Sequence, residues 1–132
     1  MEEALIARLL AASAVTQIVG ARINWGSRIQ AETLPALTLF DVSPGRTYTY
    51  QGAAGIAGPR VQFDCYAADF NTAKALARAV MTTLEPRAAV DGGIFHGAFL
   101  DQERGPLSED LGGGLTVHRV SLDFFIWFSP AA

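Results

Sequence analysis

Three small sets of residues have types and spacing that could do chemistry. Gly52, Gly55 and Gly58 are spaced like a phosphate loop. Such a loop needs a strand before it and a helix directly after it, so that backbone N–H groups and the helix dipole converge on the phosphate. Here a strand follows and no Gly-Lys-Ser/Thr occurs, so Gly52 to Gly58 reads as a flexible hairpin tip. His96, His118 and Cys65 are the soft metal ligands of the chain. No His-x3-His or Cys-x2-Cys pair joins them, so the spacing that zinc requires is missing. Pairing of the last two strands across residues 105–114 would bring His118 toward Asp101 and His96 toward Asp123. A His–Asp pair can do acid–base work, but cross-strand polar pairs on a solvated or interface face are far commoner. Cys65 shares one strand face with Val61 and Phe63 and reads as a small buried hydrophobe rather than a nucleophile. The carboxylates are scattered, without a clustered pair in apolar surroundings, which gives a glycosidase or two-metal reading no ground. The expectation is no catalytic, cofactor-binding or metal-ligating residue, and no cofactor.

The elements that would position these residues follow from periodicity. Glu2 to Ala12 reads as a short helix, with Ile6, Leu9 and Leu10 on one apolar stripe and two acids in the first turn, where the helix dipole favours them. Ser13 is placed to cap a second short helical stretch carrying Val15, Ile18 and Val19, and Gly20 to end it. Ala21 to Trp25 is a short strand. Ala36 to Val42 is a clearer one, with Leu37, Leu39 and Asp41 alternating against Thr38, Phe40 and Val42. After the Ser43-Pro44-Gly45 turn, Arg46 to Gln51 is rich in Thr and Tyr, which suit a pleated surface. In Arg60 to Tyr66, Val61, Phe63 and Cys65 face one way, and Arg60, Gln62, Asp64 and Tyr66 the other. Asp69 to Glu85 is the strongest helix, capped by Asp69 and stopped at Pro86. Its expected core stripe is Phe70, Ala73, Ala77, Val80 and Leu84, with Leu76 beside it and Asn71, Lys74, Arg78 and Thr82 on the wet side. Asp91-Gly92-Gly93 is a turn, and Ile94 to Arg104 and Leu115 to Phe128 are the closing strands. Gly105 to Gly114 between them reads as a mobile loop, because three consecutive glycines are costly to order.

The order α-(β)-β-β-β-α-β-β predicts an α+β fold, an antiparallel sheet with two main helices packed on one face. The 132 residues fit a single domain spanning 1–132 and can bury roughly two-thirds of their unfolded surface. Half of the residues are apolar and 17% are charged, which excludes disorder. A net charge of −3 lacks the basic excess of a nucleic-acid binder. One cysteine excludes an internal disulfide scaffold. The acidic start is not a secretory signal, and no apolar run is long enough for a membrane span.

On the final strand Val120, Leu122, Phe124, Ile126 and Phe128 face the core. The opposite face carries Arg119, Ser121 and Asp123, and then Phe125 and Trp127. Aromatics on both faces at one strand end suggest a subunit interface, where Phe and Trp are enriched; the alternative is that helices cover both sides of that end.

The segments LPALTLFDVSPG and GAAGIAGPRVQFDCYAADFNTAKALARAVMTTLE, together with Ile18-Val19-Gly20-Ala21-Arg22-Ile23, make the chain recognisable. It resembles the tail-completion family of tailed phages, whose members carry a "RVQ-x-D-x-(W/Y)A" strand before an Ala-rich helix. Arg60, Val61, Gln62, Asp64, Tyr66 and Ala67 match that strand. The resemblance implies a structural virion protein in the tail or neck, assembled in the bacterial cytoplasm. It implies a ring of six copies on top of the tail tube that ends tube growth and joins tail to head, in a phage or a gene-transfer particle. The implied partners are other copies of the chain, the tail tube protein and the head–tail connector or stopper. DNA would pass through the lumen without specific binding, and no membrane is involved. A head-completion or stopper role at the same junction is the alternative, with a small ligand-binding domain or enzyme as the different-class one. The interface candidates are Tyr48, Tyr50, Ile56, Leu107, Leu111, Phe125 and Trp127, the leucines and Ile56 because loops tipped with apolar residues suit ordering on a partner.

Overall fold

A computed structural model of the chain describes residues 2–26, 34–43, 46–49, 52–57, 60–90, 93–112 and 115–130. The elements are α1 (Glu2–Ala11), α2 (Ser13–Val19), β1 (Ile23–Trp25), β2 (Ala36–Ser43), β3 (Arg46–Thr49), β4 (Gly52–Ala57), β5 (Arg60–Ala67), α3 (Phe70–Leu84), β6 (Ala88–Val90), β7 (Gly93–Gly112) and β8 (Leu115–Pro130). The fold is α+β. Its sheet is antiparallel except at one edge, where β1 pairs β2 in parallel.

Strict alternation in β5 and β8 builds the centre of the sheet. The two strands pair antiparallel from Arg60↔Phe125 to Ala67↔His118. This register puts Val61, Phe63 and Cys65 beside Phe124, Leu122 and Val120 on one face, all fully buried. β2 flanks β5 and contributes Leu37 and Leu39. On the other side β7 flanks β8 along its length, and β6 pairs only the first residues of β7, Gly93 to Phe95. Leu5 and Leu9 of α1, Val15 and Val19 of α2, and Ala73, Leu76, Ala77, Val80 and Leu84 of α3 close over this face. Phe63 meets Phe124 edge-to-face at 5.7 Å, the geometry that ring quadrupoles favour.

α3 starts as its sequence implies: the Asp69 carboxylate accepts from the Thr72 backbone N–H at 3.0 Å and from the Thr72 hydroxyl. Its C-terminus is capped from α1. The Arg8 guanidinium donates to the carbonyls of Thr83 at 2.8 Å and Pro86 at 2.6 Å, and lies 5.0 Å from the Phe95 ring centroid. A buried cation is tolerable there because it meets the negative end of the helix and a ring face.

Several expectations need correction. Phe70 is 42% exposed, and Leu76 takes its place in the core. Phe70 is the first residue of α3, in the turn that precedes the first buried position, Ala73. Ser13 is a helical residue, and Ala12, with an extended backbone and no side-chain acceptor, is the N-cap of α2. Gly20 does end α2, at φ 59°, with its N–H on the Thr16 carbonyl. Ala88 to Val90 forms the unforeseen β6, a hairpin partner of β7. Gly52 to Ala57 is strand β4, not a loop, and Gly105 to Gly112 is the far half of the 20-residue β7. In both segments cross-strand pairing supplies the order that the side chains alone cannot.

Candidate functional site

The sheet face turned away from the helices carries a polar network with an apolar group at one end. Asp123 lies at its centre, 3% exposed, and accepts from Arg60 at 3.0 Å and Arg104 at 3.1 Å. Arg60 also pairs with Asp101 at 2.6 Å. Arg104 reaches Gln62 at 3.2 Å, Gln62 donates to Asp64 at 2.9 Å, and the Ser121 hydroxyl donates to Asp64 at 2.6 Å. The registers Gln62↔Asp123 and Asp64↔Ser121 between β5 and β8, with Gln102↔Asp123 and Arg104↔Ser121 between β8 and β7, line these groups up in rows. The network ties polar side chains of three strands, β5, β7 and β8, to one another. Buried carboxylates held by hydrogen bonds and cations are structural parts here.

The next row is Arg60, Phe125 and Phe99. The Arg60 guanidinium sits 5.6 Å from the centroid of the Phe125 ring, and Phe99 beside it is 62% exposed. Trp127 follows, half-buried, opposite Gly97. Phe125 and Trp127 therefore stand on the face without helices, together with Phe99, which the sequence reading did not single out.

Neither histidine comes to its expected carboxylate. His96 meets Ser129 at 2.7 Å, and His118 meets Ser108 at 3.2 Å. The β7–β8 ladder runs on to Gly112↔Leu115 instead of closing before a loop at 105–114, so Ser108 rather than Asp101 faces His118, and Gln102 rather than His96 faces Asp123. Cys65 is buried, and burial, then the charges of Asp64 and Glu103, raise its thiol pKa far above the ordinary range, which leaves it an unreactive core group. Among the described residues no group of three His, Cys, Asp or Glu could hold a metal ion. No helix among them is long and apolar enough to cross a membrane.

The remaining candidates lie on two β-ribbons. Arg46↔Ala57 continues the register line of Ser43↔Arg60, so β3 and β4 prolong the β2–β5 pair. Ala57 pairs Phe128 on the line that Arg60↔Phe125 begins, so this ribbon runs out past the C-terminal end of β8. β7 and β8 pair beyond His118 up to Gly112↔Leu115, past the end of β5. The two ribbons therefore leave opposite ends of the sheet. Tyr48 is on β3, Ile56 on β4, and Leu107 and Leu111 on the outer half of β7. Tyr50 lies outside the described residues. Among the described residues β3 pairs only β4, and the far half of β7 pairs only β8.

A sheet with one helical face, a hydrogen-bonded polar face and a ribbon at each end has the form of a structural building block. The comparisons agree. A family profile described as tail completion protein gp17 matches residues 3–129, and the chain belongs to that family. It is a structural protein of the phage tail, in a family of virion proteins that are not enzymes. Among solved structures, a chain of the virion of a native gene transfer agent particle superposes with a TM-score of 0.71 at 18% identity, over 98% of this chain and 94% of that one. At that identity the likeness is one of fold. A search of curated proteins returned no match.

Proposed function

We propose that the chain is a two-ended joint: a tail terminator that sits in a ring of copies on the last layer of the tail tube, ends its growth, and receives the head connector on its other side. The observation that carries this reading is the pair of ribbons leaving opposite ends of one sheet. A two-stranded ribbon is at best marginal alone in water, and its unpaired edges invite another chain. One ribbon, with Tyr48 and Ile56, meets one partner; the other, with Leu107 and Leu111, meets the second. Phe125 and Trp127 on the helix-free face stand ready for a partner in the assembled joint. Six copies is the number that the sequence resemblance implies. A net charge of −3 per copy suits a lumen through which DNA must slide without sticking. The assembly is a neck component of a phage or gene-transfer particle.

Removal of the gene tests the reading. A terminator's absence gives tubes of uncontrolled, excessive length that carry no heads. Tubes of normal length that fail to join heads would instead assign the chain to the stopper layer of the same junction. Normal length with normal joining would overturn both.

A further inference from the structure

The two lateral edges of the sheet carry unlike apolar features. At one edge, α1 and β1 form an open groove of about 330 Å³ lined by Glu3, Ile6, Ala7, Leu10 and Trp25. Leu10 is 43% exposed there, although α1 has already buried Leu5 and Leu9 on its other side. At the other edge lies β7. From His96 onward it pairs only β8 among the described residues, and it exposes Phe99 and, at 40%, Leu100. Strand order β1-β2-β5-β8 with β7 beyond separates groove from ridge by four strand steps, about 19 Å.

Charge matches across these features. The Lys74–Glu103 ion pair at 2.9 Å fixes the start of α3 against β7. Arg8 spans the end of α3 and Phe95 at the start of β7. α3 therefore runs back along β7, and the exposed Arg78, one turn after Lys74 on the same helix face, comes alongside the Leu100 stretch. The groove carries the exposed Glu3. One edge is an apolar ridge beside a cation, and the other an apolar groove beside an anion.

We infer that the β7 edge of one copy, led by Leu100, seats in the α1–β1 groove of a second copy of this chain, with Arg78 facing Glu3. Leu100 lies on the helix side of β7 and Trp25 on the helix side of β1, so the contact brings α3 of one copy beside α1 of the next. Sheet and helix layer then run on from copy to copy. Because groove and ridge are different surfaces, the contact is head-to-tail, the kind that closes into a ring. This inference rests on the ring reading above and says which surfaces make the ring. It leaves the two ribbons free for the layers above and below.

The test mixes two full-length variants, Leu10→Cys and Leu100→Cys, and joins neighbouring thiols with a short bismaleimide. The native Cys65 is buried and stays silent. Both substituted positions are exposed, so the fold survives. A mixed Leu10–Leu100 adduct, with little product from either variant alone, is the expected result. Charge reversal by Glu3→Arg or Arg78→Glu should cut the adduct by about tenfold or more, and the two reversals together should restore it. An adduct from Leu100→Cys alone would mean a symmetric contact and would overturn the inference. An oligomer in sedimentation that yields no adduct would overturn the inference and leave the ring reading standing. A monomer at every concentration and also in tails, with no adduct, would overturn both.

Discussion

The two faces of β5 and β8 share the same backbone and the same register, yet they are held by different forces. On the helix face Val61, Phe63, Cys65, Val120, Leu122 and Phe124 are wholly buried. Their stability comes from apolar area removed from water and from close contact, which no partner is needed to complete. On the other face Asp64, Ser121 and Asp123 are also nearly inaccessible, but their cover is a lattice of polar side chains. That face ends in Phe99, Phe125 and Trp127, which the polar lattice does not cover. The difference teaches that the first face specifies the fold and the second presents a surface that is rigid before any partner arrives.

The largest effects should fall on the helix face. Phe63→Ala should cost about 3–5 kcal/mol, and Leu84→Ala about 2–5 kcal/mol, in urea unfolding. On the polar face Asp123→Ala strips two arginines of their shared acceptor and should cost about 1–3 kcal/mol. Asp101→Ala, whose partner Arg60 keeps Asp123, should cost no more than about 1 kcal/mol. If Asp123→Ala proved as damaging as Phe63→Ala, the polar lattice would be a second core and the comparison would fail.

A pH series sharpens the same comparison at the start of α3. The hydrogen bond from the Thr72 side chain, then the Thr72 backbone N–H, hold the Asp69 carboxyl below its ordinary pKa. A depressed folded-state pKa stabilises the protein above the unfolded value and loses that contribution as pH falls through the folded one. Asp69→Ala should therefore lower Tm at neutral pH, and the gap to the unsubstituted chain should close below the usual carboxylate range. A gap unchanged down to acid pH would show that the cap works without its charge. The smallest effects belong to Phe99→Ser and Leu100→Ser, within about 0.5 kcal/mol for folding, while assembly with other copies drops.

The helix face was legible in α3 because periodicity reports burial directly, but not in α1, where Leu5 is buried beside Leu9 and Leu10, expected on the apolar stripe, is 43% exposed. The stripe of α3 missed only at Phe70, where a helix end outruns the surface that could cover it. β8 was read correctly on its core face, where Val120, Leu122, Phe124, Ile126 and Phe128 alternate without a break. The ribbons were not legible. Gly52 to Ala57 and Gly105 to Gly112 have loop composition, and their strand state comes from pairing with β3 and β8, a long-range condition that no local window contains. The polar network was half legible: alternation put Arg60, Gln62, Asp64 and Asp123 on one face. Which of them would meet depended on the long-range β5–β8 register and on Arg104 and Asp101 arriving from β7, and the histidines missed their expected carboxylates because the β7–β8 ladder runs on to Gly112↔Leu115.

The central claim is that the two ribbons serve different partners. Cross-linking with mass spectrometry on intact particles measures this directly, with one probe on residues 46–57 and another on residues 108–117. One ribbon should link to the tube protein and the other to the connector, with no exchange between them. Both ribbons linking to the same component, or neither linking to any, would contradict it.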